Sequence, residues 1–365
     1  MEKTDLNNNN NNDGDADGVD RIEAKFKLML EEGPNIFADF EEPNMKVPDY
    51  FDPVKFRRGQ KVFENNIFTM MIAKLSGLLM LLAVPSIVDI IKFTKQSGTP
   101  CTAFRRYAAT ILHTCIWYNK SPNQDLEFFE SLKNVRRKHC VASKKSHEAG
   151  IGRINQLDMA LTQFGFIGFT LLCGKTLGIV LSDDDLDGLL HFWRVIAKML
   201  GTEERFNLCN GTIDETKSLC KKLLEDVFVP HLAKRKNRQD FQEMSKAMLE
   251  GIWCINPFIN NHAYQAFTYQ FLISSVLKNY KNKNNYRHLE IDGPLSRAGK
   301  ILLNLQIFVH TKLLQSRYWW SHLFRAFFNL TMRSSIYLTE NSPYLAWWFY
   351  GKKKSQFNIY KYHFE

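Results

Sequence analysis

Apolar residues recur along most of this chain at intervals of three and four. That is the period of a helix with one buried side. Between 183 and 200, Leu186, Leu189, Leu190, Trp193, Ile196 and Leu200 share one such side, and Ser182 with Asp185 makes a capping box ahead of them. The spacing predicts helices over 102–117, 123–146, 155–174, 183–200, 214–233, 238–254, 263–279 and 296–328. No alternating strand pattern of any length and no internal repeat interrupts them. The expected fold class is all-α, built as one large helical domain. The most hydrophobic stretch is 67–93, broken by Lys74 and Pro85. Its uninterrupted part, 75–88, is 14 residues long, against roughly 20 for a bilayer span. A buried core helix is the preferred reading there, and a membrane anchor or interfacial helix the alternative.

The N-terminus departs from this pattern. Six asparagines at 7–12 lead into Asp and Gly, a composition that buries too little apolar area to order itself. A low-complexity tail over 1–20, disordered to about Val19, and an extended acidic arm over 21–50 with a short helix at 22–30 are expected. Pro34, Pro43, Pro48 and Pro53 punctuate that arm. The helical domain then covers 51–365, as a core over 51–250 and a C-terminal extension over 251–365.

Charge follows the same division. Residues 1–52 carry 5 Lys/Arg and 14 Asp/Glu, so the remainder of this net +10 chain carries +19. A basic body suits an anionic partner such as a membrane surface, a nucleic acid or an acidic cofactor edge, or simply makes a cationic surface. The seven cysteines include no CxxC pair and read as reduced thiols. With a polar, acidic start instead of a secretory signal, they imply an intracellular location, in the cytoplasm or on the cytoplasmic face of an endomembrane.

Several motifs fail on inspection. Asp13–Gly18 and Asp183–Gly188 both read D-x-D-x-D-G, but the twelfth position of each, where a calcium loop needs Glu, holds Ala24 or Arg194. HExxH, GxGxxG, GxxxxGK[ST] and GxSxG do not occur. Lys278–Arg287 interleaves Tyr280 and Tyr286 with Lys and Asn, which a solvated linker explains better than nucleic-acid binding. The stretch 317–350 sets Trp, Phe and Tyr beside Lys and Arg. That mixture suits a membrane–water interface, or equally a packed helix with basic tips.

The remaining candidates lie on two helices. Arg106, Thr110 and His113 are spaced i, i+4, i+7, with Trp117 continuing the line. Set in an otherwise apolar helix, they must satisfy one another or face a polar ligand. Some thirty residues later, His139 shares an apolar face with Val135 and Ala142. A lone imidazole there is either a satisfied core residue or an axial haem ligand.

Arg106-x-x-x-Thr110, Val135-Arg136-x-x-His139 and Gln156-x-Asp158-Met159-x-x-Thr162-Gln163-x-x-Phe166 together resemble the rubber-oxygenase-like family. That family includes bacterial latex-clearing proteins and endoplasmic-reticulum-bound fungal oxygenases of the mycophenolic acid pathway. Leu190-His191-x-Trp193-Arg194-Val195-Ile196, Gly201 and Arg205-Phe206-Asn207-Leu208 extend the likeness, which covers 51–209. The resemblance implies an all-helical fold with haem b (iron) between helices. It makes His139 the axial and metal-binding ligand, and Arg106 and Thr110 the catalytic polar pair beside the haem. Where latex-clearing proteins have an iron-capping lysine just before that threonine, this chain has Ala109. His113 is a candidate to fill that side as a cofactor contact. The implied function is a haem-dependent oxygenase using O2 on an apolar unsaturated lipid or isoprenoid. The alternative is a non-catalytic helical lipid-binding or membrane-surface protein that keeps the fold. A nucleic-acid-binding role has no reading motif behind it.

Overall fold

A computed structural model describes residues 13–40, 45–122, 124–234, 239–276 and 294–360. The asparagine run and Lys278–Arg287 lie outside the described residues. Among the described residues the chain is helical without a strand, and Phe37 and Asn155 form an isolated bridge.

The body is built on α2 (Pro53–Leu81), which packs mainly on α6 (Gln156–Leu177) and α7 (Asp183–Leu200). Around them lie α1 (Asp13–Glu31), α3 (Pro85–Phe93), α4 (Pro100–Asn119) and α5 (Leu126–Glu148). Later come α8 (Ile213–Leu223), α9 (Val229–Ala233), α10 (Gln239–Trp253) and α11 (Asn261–Ser275). The last four are α12 (Arg297–Phe308), α13 (Ser321–Asn341), α14 (Tyr344–Tyr350) and α15 (Lys352–Ser355).

Local chemistry sets these ends. Pro53 starts α2 behind the Asp52 side chain, which accepts from Val54 N and Lys55 N. The expected box at Ser182 forms, and Gly201 ends α7 in the left-handed conformation. Asp184 and Asp185 pair with Arg58 of α2 at 3.1 and 2.9 Å, so this acidic triplet ties a helix N-terminus to its neighbour.

The structure differs from the spacing in four places. α1 starts at Asp13, well before residue 22. The 67–93 stretch is two helices meeting at 93° after Leu81, with Pro85 opening the second. The helix expected over 214–233 contains a π turn at Leu224–Phe228. The single helix expected over 296–328 is two, because a π turn at Val309–Leu313 and a break precede Ser321. Its apolar periodicity runs through the break, so spacing alone joined the pieces.

Two features fix the central packing. α2 kinks at Asn66, whose φ/ψ of −134°/24° is non-helical, and α13 supplies the backbone partners the kink releases. Asn329 accepts from Phe68 N at 3.1 Å and donates to Asn65 O at 2.7 Å, while Arg325 donates to Asn66 Oδ1 at 2.7 Å. The C-terminal extension is therefore structurally part of the core. At the other contact, Gly77 of α2 meets Gly165 of α6 so closely that a Cβ on Gly77 would lie 2.0 Å from Gly165 O. Gly77→Ala is expected to cost about 3 kcal/mol by forcing these backbones apart. Urea unfolding measures this against Gly98→Ala, where an added Cβ meets nothing within 4 Å.

Candidate functional site

The polar stripe on α4 divides into two halves with different surroundings. In the lower half His113 and Trp117 are held by one hydroxyl. Ser131 Oγ of α5 lies 2.8 Å from His113 Nδ1 and accepts from Trp117 Nε1 at 2.9 Å. His113 Nε2 is 3.1 Å from Ile359 O, and Tyr360 stands edge-on to its ring. Lys138 also donates to Ile359 O, at 2.6 Å. Both ring nitrogens of His113 are thus engaged, and the C-terminal segment closes over this half. The structure gives His113 a scaffold position instead of an open face toward a cofactor.

The upper half is different. Arg106 reaches Thr94 Oγ1 at 3.2 Å, and Thr110 Oγ1 donates to Arg106 O at 3.0 Å within its own helix. Arg106 is close enough to His139 of α5 that its charge, with that of Lys138 and after burial itself, disfavours the imidazolium. These causes hold the His139 pKa down at about 4, so the ring is neutral at physiological pH. Its Nδ1 is buried and has no hydrogen-bond partner. A neutral, buried, unpartnered imidazole nitrogen is costly in a finished core. A neutral imidazole not already engaged in the core is also what a haem iron takes from a protein, through one of its ring nitrogens. The chain therefore fits the expected ligand at His139, and Arg106 beside it fits a propionate or other anionic edge. Among the described residues no group of three or more His, Cys, Asp or Glu could hold a metal ion together. A single imidazole on a prosthetic group needs no such cluster.

Thr110 faces a narrow cavity of about 40 Å³ between α2, α4, α10 and α13. Met71, Leu75, Ile252, Ile255 and Met332 make much of its wall; Lys74, Tyr107, Thr110 and Asn256 also line it, but the surface presented to the cavity is almost wholly apolar. His139 is not on that wall. Arg106, one helical turn from Thr110, links the two places along α4.

Lys74 is the residue that periodicity alone missed. It is 5% exposed and donates to Thr114 Oγ1 at 2.7 Å, beneath the face of Phe166. Thr114 donates in turn to Thr110 O at 2.7 Å. Burial pushes the Lys74 ammonium down to a pKa of about 7. The signal was present in the sequence, as one lysine inside the most apolar stretch of the chain, but its neighbours were not.

The family pattern downstream is scaffold. Gln163 donates to Asn207 Oδ1 at 2.9 Å and accepts from Leu208 N at 2.9 Å. Gln156 donates to Gly201 O at 3.0 Å and accepts from Glu203 N at 2.9 Å, and Asp158 accepts from Ser86 at 2.7 Å. The bonds of Gln163 and Gln156 pin the turn after α7 onto α6, and that of Asp158 ties α3 to it.

Comparison with known proteins agrees with this architecture. The sequence profile of the family described as "ER-bound oxygenase mpaB/B'/Rubber oxygenase, catalytic domain" matches residues 61–331. The solved structure of latex clearing protein LCP in the closed state is similar with a TM-score of 0.52 at 14% identity, over 86% of this chain and 87% of that one. That likeness is one of fold. No curated protein sequence matches the chain.

Proposed function

The chain belongs to the family of ER-bound oxygenase and rubber oxygenase catalytic domains, and from that premise we propose that it is a haem-dependent oxygenase acting on an apolar, unsaturated lipid or isoprenoid. The observation that carries the haem is the buried, unpartnered Nδ1 of a neutral His139. When bound, haem b supplies the oxygen chemistry that side chains lack. His139 would hold the iron, and Arg106 would bind an anionic edge of the group.

The remaining residues select and orient the substrate. The apolar walls at Met71, Leu75, Ile252 and Ile255 accept part of a hydrocarbon chain and exclude water. Thr110 and Asn256 line the same cavity, whose surface is almost wholly apolar and so suits the hydrocarbon part of the substrate. Lys74, near its neutral point at physiological pH, can hold or release a proton at Nζ beside the cavity. It takes no part in holding the haem in this reading.

Titrating the purified chain with haemin is expected to give a Soret band that saturates at one haem per chain. A titration without saturable binding sinks the proposal. The separation of the cavity from His139 favours the second reading, a lipid-binding protein with this fold and no oxygen chemistry. Uptake of a fluorescent fatty acid by a chain that binds no haem is its signature.

A further inference from the structure

The C-terminal extension carries an apolar surface that neither the core nor the proposed site uses. α13 is amphipathic in an unusual sense, because both of its sides are apolar. Inward, Met332 and Ile336 are buried, and Met332 forms part of the cavity wall. Outward, Leu323, Phe327, Leu330 and Tyr337 recur at i, i+4, i+7 and i+14, one line along the helix. Leu330 is 63% and Tyr337 65% exposed. After Pro343, α14 continues with exposed Tyr344, Trp348 and Phe349, and Trp348 is 86% exposed. Monomeric soluble proteins seldom leave so many large apolar side chains on adjoining elements without a partner.

Charge identifies the partner. Residues 297–354 hold nine Lys/Arg and a single acid, Glu340, a net +8. Lys352, Lys353 and Lys354 are all exposed and directly follow the aromatic turn of α14. Lys352 Nζ stands 5.0 Å from the Trp347 ring centre. A second copy of the chain would bring this +8 segment against another like it, which repulsion opposes. An anionic bilayer satisfies both features. Its headgroups neutralise the lysines, and its upper acyl region takes Trp, Tyr, Phe and Leu side chains.

We propose that the outward face of α13, with the aromatic turn of α14 and the lysines after it, docks the protein peripherally on an anionic lipid bilayer. The docking is independent of haem. Only its consequence rests on the functional reading above. Because Met332 backs the cavity on the opposite side of α13, a hydrocarbon chain drawn from the bilayer has one helix to pass around before it reaches Thr110.

Flotation of the full chain with phosphatidylcholine vesicles, with and without phosphatidylserine, tests this. The chain is expected to float with the phosphatidylserine vesicles, with a blue-shifted tryptophan emission, and to be partly released as salt rises. Changing Lys352, Lys353 and Lys354 to Gln is expected to weaken partitioning by roughly a hundredfold. The pair Phe327→Ser and Leu330→Ser is expected to abolish the emission shift. Both sets lie on exposed positions, so an unchanged melting temperature certifies the fold. Three results overturn the proposal: no flotation with phosphatidylserine vesicles at low salt, flotation that both variants leave unchanged, or a dimer by light scattering that Phe327→Ser dissociates.

Discussion

His139→Leu is expected to eliminate saturable haem binding while leaving the haem-free chain at least as stable as the parent. The two halves of this result come from one observation. Nδ1 is buried without a hydrogen-bond partner, and an unsatisfied buried polar group costs about 1–3 kcal/mol. Leucine fills similar space and removes that cost. A histidine kept for packing would give the opposite pattern, with stability lost and haem unaffected. Thermal melts of the haem-free proteins and haemin titrations of both separate the cases, and a variant that still saturates with an unshifted Soret band rules out His139 as the ligand. The low pKa adds a pH signature. Protons compete for the imidazole only near its value of about 4, so haem binding should hold from pH 8 to near 5 and fail below.

Lys74→Met is expected to stabilise the protein by up to about 4 kcal/mol at pH 7, an advantage that fades toward pH 10.5. Burial lowers the folded-state pKa of Lys74 from 10.5 to about 7. Between these values the unfolded chain binds the proton and the folded chain does not. Stability of the parent therefore rises with pH across this window, and the penalty is complete below pH 7. The cation–π contact with Phe166, 4.6 Å away, favours the charged form. At ~0.5–2 kcal/mol it does not offset desolvation without a carboxylate alongside. Urea unfolding of both proteins from pH 6 to 10 measures the difference. Parallel curves would show that Lys74 keeps its proton in the fold. A lysine retained at such cost beside Thr110 is expected to serve the cavity, so Lys74→Met should impair turnover while it improves stability.

The helices were legible wherever one side chain pattern and one cap decided them. Ser182 and the apolar side of α7 predicted that element with both of its bounds. The pattern failed where a backbone irregularity interrupts a continuing apolar period. The π turn at Val309–Leu313 is one case. The Asn66 kink lies outside every helix the spacing predicted, and its freed groups are met by Asn329 and Arg325 far along the chain.

The candidate site divides along the same line. Sequence by itself determined the helical class, the shared face of Arg106, Thr110 and His113, and the candidacy of His139, because helical spacing and residue chemistry are local. It could not rank His113 against His139, since a histidine's role depends on which atoms meet its nitrogens. Only the tertiary structure sets those atoms, bringing Ser131 and the distant Ile359 carbonyl to His113, leaving His139 Nδ1 without a partner, and burying Lys74 beside Thr110's cavity. Those contacts join residues up to 246 positions apart, and spacing along a chain carries no record of what packing sets against it.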